Sequence, residues 1–317
     1  MHFLRLIRPV NLLIIAATMY SLGWYFDIIN QPTEVKLMGS FQFFLLVIST
    51  VMIAAAGNII NDYFDIRADR VNRPNKLVIT HQVKRRWAIV YHWTINLVAF
   101  IIAVYLSYVN QTFWYVFIHL LSINLLWFYS MQLKRTVVVG NIVIALLTSL
   151  VPVLVGIFYN QQLDGKVSGS TYPFQLISSD YFYVYFGIGL GIFAFLLNWA
   201  REIVKDVEDM EGDKVIKAKT IPIVFGVAKA KQFALILLVA TVIISSLLFW
   251  GYEAGYLLNY TAFSPLVFSA VVMIITFIQL IRSKTVADFN RVNNMLKVTM
   301  IIGLLLPLFW CFQLIAQ

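Results

Sequence analysis

Residues 58–76 read NIINDYFDIRADRVNRPNK and follow an apolar run long enough to cross a bilayer. Three aspartates (Asp62, Asp65, Asp69) and two asparagines (Asn58, Asn61) crowd against membrane in a chain that is only 12% charged. If the helix continues past the bilayer, Asn61, Asp65 and Asp69 recur every four residues. Each such step advances about 40° beyond a full turn, so the three share one face, and Asn58 falls within the same arc. An oxygen stripe of this kind at the mouth of a bundle suits hard cations.

The rest of the chain sets that stripe in context. It has 317 residues, 61% of them hydrophobic, and its mean hydropathy is +0.81. Soluble domains sit near half apolar and about a quarter charged, so this is an all-α polytopic membrane protein. At roughly 20 apolar residues per crossing, about nine spans are expected: 10–29, 41–61, 87–108, 112–130, 137–158, 181–200, 233–250, 261–281 and 296–315. Short connections join them, which predicts one integral-membrane domain over 1–317 with its longer loops capping the cytoplasmic side. The first span follows Arg5 and Arg8 but lacks a small-residue cleavage site, so it is expected to be retained rather than removed as a signal peptide. Cys311 is the sole cysteine, which excludes an internal disulfide and any cysteine-rich metal site.

The formal charge is +9. With the N-terminus in the cytoplasm, loop parity places 22 of the 24 lysines and arginines on the cytoplasmic side, leaving only Lys36 and Lys166 outside. That asymmetry predicts a cytoplasmic N-terminus, an outer C-terminus and an inner cell membrane as the location. Topology thus accounts for much of the basic excess, and nucleic acid is not an expected partner. The sequons at Asn110 and Asn259 fall on the outer side and are too short to carry weight.

A second acidic stripe follows span 6, in NWAREIVKDVEDMEGDKVIKAKT, residues 198–220. On one helix, Glu202, Asp206, Asp209 and Asp213 lie within roughly 60° of surface. Like charges so spaced repel, so positive groups are expected to compensate them. Four crossings separate spans 2 and 6, so both stripes emerge on the same side. Mg²⁺ takes one or two protein carboxylates together with substrate phosphates. Two carboxylate stripes at one membrane face therefore suit Mg²⁺ ions bridged by a pyrophosphate, with Arg67, Arg70, Arg73, Lys76, Arg201, Lys205 and Lys214 interleaved as candidate phosphate partners.

These residues resemble the UbiA superfamily of intramembrane prenyltransferases. Its first motif, N-x-x-x-D-x-x-x-D, is matched by Asn61, Asp65 and Asp69, followed by DRVNRP from Asp69 to Pro74. Its second is matched by Asp209 and Asp213, then Lys219 and Thr220. YSMQLK at the end of span 4 supplies Tyr129 and Lys134, Gly140 and Asn141 follow, and RPVN supplies Arg8 to Asn11. The resemblance covers essentially the whole chain, and LIRPVNLL with REIVKDVEDMEGD looks most like the branch that makes digeranylgeranylglyceryl phosphate. It implies Mg²⁺-dependent transfer of a geranylgeranyl group from its pyrophosphate to a prenylated glycerol phosphate, with membrane lipids around the bundle. In that reading Asn61, Asp65 and Asp69 bind one Mg²⁺, and Asp209 with Asp213 another. Arg8, Asn11, Arg70, Arg73 and Lys134 bind substrate, and Arg201 and Lys205 offer charge to a phosphorylated acceptor. Tyr129 faces the developing carbocation, and Asp206, rather than Glu202, is the expected base. After NRP many relatives continue RPIPSG, whereas this chain has NKLVITHQV over 75–83.

Two other functions share parts of this pattern. An aromatic acceptor of quinone synthesis would use every motif above. A transporter would carry ionisable groups near the bilayer midplane, whereas here carboxylates gather at cytoplasmic helix ends. His2, His81, His92 and His119 lack metal-ligand spacing, and His119, inside span 4, is expected to be a hydrogen-bonded bundle histidine. Pro152 is placed to kink span 5 and free a carbonyl.

Overall fold

The computed structural model describes residues 2–30, 36–74, 77–163, 181–253 and 260–315. In chain order the helices are α1 His2–Ile7, α2 Pro9–Ile29, α3 Phe41–Asn72, α4 Arg85–Val109, α5 Trp114–Met131, α6 Val139–Leu163 and α7 Phe182–Glu208. They continue as α8 Met210–Val215, α9 Ile221–Phe225, α10 Val227–Glu253, α11 Tyr260–Arg282, α12 Val286–Leu304 and α13 Leu306–Ile315. Among the described residues the only β pairing is a bridge between Ile79 and Val83. Among the described residues seven helices are long and apolar enough to cross a membrane, and the α12–α13 pair adds an eighth if it counts as one span. The described apolar part of α11, Phe268–Arg282, is shorter. Each of the nine expected spans therefore falls on a helix, with one correction. The stretch 296–315 is not one straight rod, because α12 and α13 are bent by 41°. Lys76, Lys166 and the Asn259 sequon lie outside the described residues, as does the start of the 75–83 segment.

The chain forms two compact units. The first comprises Met1–Ala16, Phe41–Ile144 and Asp206–Ala230; the second comprises Ala17–Ser40, Ala145–Lys205 and Lys231–Gln317.

In the first unit α3 is the central rod, packed against α1, α4, α5 and α8. Its membrane portion is apolar all round, as a buried helix in lipid should be. Small residues set the spacing: a Cβ at Gly57 would stand 2.9 Å from Leu126 Cδ1 of α5. Ile53, Ala99 and Ile123 form the contact among α3, α4 and α5, the close packing that lipid-embedded helices rely on. Two histidines fasten the same helices. His119 Nε2 meets Ser49 Oγ at 2.9 Å, and His92 Nδ1 meets the Ala56 carbonyl oxygen at 2.9 Å. His119 is thus the expected bundle histidine.

In the second unit Pro152 sits inside an unbroken α6. Its carbonyl lies where α7 comes close: a Cβ at Gly187 would be 2.7 Å from Pro152 O, and one at Gly156 would be 2.3 Å from Tyr183 O. Asp27, near the end of α2, is buried and accepts hydrogen bonds from Leu37 N at 2.8 Å, Met38 N at 3.0 Å and Tyr159 Oη at 2.8 Å. Tyr25, Phe26, Tyr159, Phe186 and Trp310 pack around that anchor as an aromatic cluster.

Candidate active site

α3 continues as a helix to Asn72, so the first stripe is a true helical face. Its carboxylates are matched by cations from elsewhere in the first unit. Arg8 pairs with Asp62, and Lys134 pairs with Asp65. Arg8 stands between α1 and α2 with φ +55°. Asn58 Nδ2 donates to the neighbouring Ile7 carbonyl at 2.9 Å, which pins that junction to α3. Asn61 Nδ2 donates to Asp65 Oδ2 at 2.8 Å. Asp65 is only 7% exposed, so an uncompensated charge there would be expensive.

Lys134 lies in a 3-10 turn, Leu133–Arg135, directly after α5. Gly140 lets the start of α6 pass over this turn, since a Cβ would stand 2.5 Å from Leu133 O. Burial alone would depress the Lys134 ammonium. Asp65, with further contributions from Tyr129 and Asp213, instead holds it above its ordinary value. Arg8 behaves likewise: burial disfavours its charge, and Asp62 restores and raises it. Lys134 therefore responds to a carboxylate of each motif and to Tyr129, which is buried in α5.

The second stripe departs from expectation. Glu202, Asp206, Asp209 and Asp213 do not share one helix: α7 ends at Glu208, Asp209 turns with φ −93° and ψ 5°, and α8 begins at Met210. Four like charges on one face work against continuation, and Gly212 weakens it further. The groups released at the break are recovered by Asn72. Its Nδ2 donates to Asp209 O at 2.9 Å, and its Oδ1 accepts from Gly212 N at 2.8 Å. Gly212 is required there, because a Cβ would stand 2.4 Å from Asn72 Nδ2 and 2.6 Å from Ala68 O. Arg73 then spans Glu208 Oε1 at 3.1 Å and Asp209 Oδ1 at 2.9 Å. The last turn of α3 is thus riveted to the second motif by one asparagine and one arginine. Asp213 is buried at 6% exposure. Beyond it, Lys219 N donates to Arg135 O at 2.8 Å, tying the end of this segment to the Lys134 turn.

The first unit thus brings together Arg8, Asn61, Asp65, Arg73, Tyr129, Lys134, Asp209 and Asp213. Asp69 shares their face of α3, and Asn11 lies one turn into the unit from Arg8. Asn141 Nδ2 donates to Asp206 Oδ2 at 2.9 Å and orients that carboxylate. Arg70 is not brought in: it is exposed, turned roughly 140° around α3 from Asp65. Arg201 and Lys205 belong to the second unit, where both pair with buried Glu202, at 2.7 and 3.4 Å. Asn72, Glu208 and the Arg8–Asp62 pair were not singled out from the sequence. The only signal for Asn72 was its place inside DRVNRP.

The residues present fit a divalent ion that shares its shell with substrate. Among the described residues no three His, Cys, Asp or Glu side chains are grouped closely enough to hold an ion alone. Mg²⁺ does not need such a group, because phosphate oxygens and water complete its octahedron. Asp65 and Asp209 each face a cation, Lys134 and Arg73, which places positive groups beside the candidate metal ligands.

The model of the UbiA prenyltransferase family matches residues 10–298. The chain belongs to this family. Among curated UbiA-family relatives, it is 31% identical to digeranylgeranylglyceryl phosphate synthase of Thermococcus sibiricus over 297 residues, 93% of this chain and 92% of that one. With the enzyme of the same name from Pyrococcus horikoshii it shares 33% over 257 residues, 80% of each chain. The fold agrees with a solved structure of digeranylgeranylglyceryl phosphate synthase, at TM-score 0.66 and 24% identity over 98% of each chain. It also agrees with a UbiA homologue from Archaeoglobus fulgidus bound to GPP and Mg²⁺, at TM-score 0.59 and 19% identity over the full length of both. As a UbiA prenyltransferase the chain is an integral-membrane enzyme, which sets the transport reading aside.

Proposed function

We propose that this enzyme transfers a geranylgeranyl group from its pyrophosphate to the hydroxyl of a prenylated glycerol phosphate, with Mg²⁺ as cofactor. The observation that carries the proposal is the joining of both carboxylate motifs inside one unit by Asn72 and Arg73. Its support in relatives is that curated proteins matching most of the chain bear the name of that synthase, and that a homologue of the same fold has been solved with GPP and Mg²⁺.

Asn61, Asp65 and Asp69 would hold Mg²⁺ from the first motif, and Asp209 with Asp213 from the second. Bound there, the metal supplies Lewis-acid neutralisation of the leaving pyrophosphate. Lys134, Arg73 and Arg8 release their carboxylates in part and turn to phosphate oxygens, adding charge where it develops as the C1–O bond breaks. The electron pair leaves with pyrophosphate, and the buried ring of Tyr129 faces the allylic cation. The acceptor oxygen forms the new C–O bond, and its proton passes to Asp206, held in position by Asn141. Asn11, which follows Arg8 in the same unit, serves the substrates' outer contacts. In this reading the whole chain works as one integral-membrane domain of the inner membrane, and the 22-to-2 division of cations supports a cytoplasmic N-terminus and site.

Purified protein given labelled geranylgeranyl pyrophosphate, Mg²⁺, a prenylglycerol phosphate and a 4-hydroxybenzoate-type acid tests this reading by product mass spectrometry. Label on the glycerol phosphate lipid is expected. Label on the aromatic ring alone would overturn the acceptor assignment.

A further inference from the structure

A cavity of about 310 Å³ opens in the first unit beside α3, away from the carboxylates. Tyr63, Phe64, Ile66 and Arg67 contribute to it from α3. At 100° per residue they centre roughly 180° from the arc of Asn61, Asp62, Asp65 and Asp69. Three further cations reach the same space from three other elements: Arg85 opens α4, Arg135 closes the 3-10 turn and Lys217 follows α8. Ile66, Val215 and Ile216 supply an apolar wall.

Among the described residues, none of these four cations is paired with a carboxylate, unlike Arg8, Arg73, Lys134, Arg201, Lys205 and Lys214. The positive-inside rule explains why they lie on one side of the membrane. It does not explain why four elements converge on one hollow, where like charges repel. The convergence is also built rather than loose. Lys217 adopts φ +55°, a strained value for lysine. Hydrogen bonds hold it there, from Lys217 N to Lys214 O at 3.1 Å and from Ala218 N to Asp213 O at 2.9 Å. Lys219 N to Arg135 O, at 2.8 Å, fixes this turn against the Arg135 turn.

The geometry points to a binding site for the phosphate headgroup of an anionic membrane lipid, on the opposite side of α3 from the pyrophosphate clamp. Four cations answer the phosphate charge, and Phe64, Val215 and Ile216 meet the first apolar carbons below it, a combination a free phosphate has no use for. The assignment does not depend on the acceptor reading: Arg67, a candidate phosphate partner by sequence, is turned away from the carboxylate arc of α3, and the other side chains are not placed in the transfer machinery.

The test is native mass spectrometry of the full chain extracted from vesicles of equal phosphatidylcholine and phosphatidylglycerol. The measurement compares wild type, the exposed double substitution Arg85→Gln/Lys217→Gln, and the neighbouring control Arg86→Gln. Wild type and control are expected to retain phosphatidylglycerol, whereas the double variant loses it roughly 10- to 30-fold, the weight of two cations near a lipid headgroup. Glycerol phosphate in solution should not displace the lipid, and the KM of the double variant for the prenylglycerol phosphate acceptor should stay unchanged. Equal retention of both lipids, or unchanged retention in the double variant, would overturn the site. Displacement by glycerol phosphate would make it a free-phosphate site, and a raised acceptor KM would make it the acceptor's own; either contradicts the assignment.

Discussion

At the scale of single residues, the site rests on which polar groups meet. Asp65→Asn and Asp209→Asn each remove a carboxylate that faces a cation now and, in the proposed function, a metal in turnover. Each should cut pyrophosphate release at least a hundredfold, the size of effect seen when one preorganised charge-stabilising group is lost. Lys134→Met should raise the KM for the prenyl pyrophosphate roughly 10- to 100-fold, the worth of one hydrogen bond to a charged group. A steady-state titration of donor checks it, and an unchanged KM would remove Lys134 from the phosphate site. Asn72→Ala should weaken the apparent Mg²⁺ affinity by about 10- to 100-fold although Asn72 ligates nothing, because it holds the backbone of Asp209 and Gly212 in place. The carboxylates themselves were legible in the sequence, since a spacing of four is a helical face wherever it occurs. Their partners were not. Arg73 meets Asp209 across 136 residues of chain and Lys134 meets Asp65 across 69, and nothing local in a sequence records such meetings.

At the scale of elements, α3 was legible well beyond its membrane part, because the oxygen stripe kept the helical period to Asp69. The break between α7 and α8 was not. The same spacing of carboxylates runs through it, and charge repulsion and Gly212 weaken the helix there without fixing where it turns, which the tertiary contact with Asn72 does. Gly212 is the test of that junction. Gly212→Ala would drive a methyl group into Asn72 and the Ala68 carbonyl, costing about 1–3 kcal/mol as overpacking. The expected result is a lower thermal midpoint together with lost activity. The bend between α12 and α13 was hidden for a related reason, since hydropathy reports apolar length and says nothing of direction. In the second unit, Asp27→Ala would strand Leu37 N and Met38 N, whereas Tyr159 Oη keeps the Gly23 carbonyl. Each buried group left unsatisfied costs about 1–3 kcal/mol. Thermal stability should fall, and donor KM should hold in whatever protein remains folded.

At the scale of the whole molecule, composition and loop charge carried the architecture: all-α, membrane-embedded, about nine crossings. They were silent on the division into two compact units, which depends on which helices pack together rather than on how apolar each one is. The proposed orientation can be read directly. In a Cys311→Ser background, a membrane-impermeant maleimide added to intact cells should label Tyr108→Cys and spare Lys284→Cys. The reverse pattern would invert the topology. The central claim is that the two carboxylate motifs form one clamp on one pyrophosphate. A double-mutant cycle on Mg²⁺-dependent binding of an unreactive geranylgeranyl thiopyrophosphate tests it most directly, using Asp65→Asn, Asp209→Asn and the pair. The account predicts that each single change removes most of the binding and that the pair is scarcely worse than the weaker single variant. Losses that simply add, or full binding in either single variant, would contradict it.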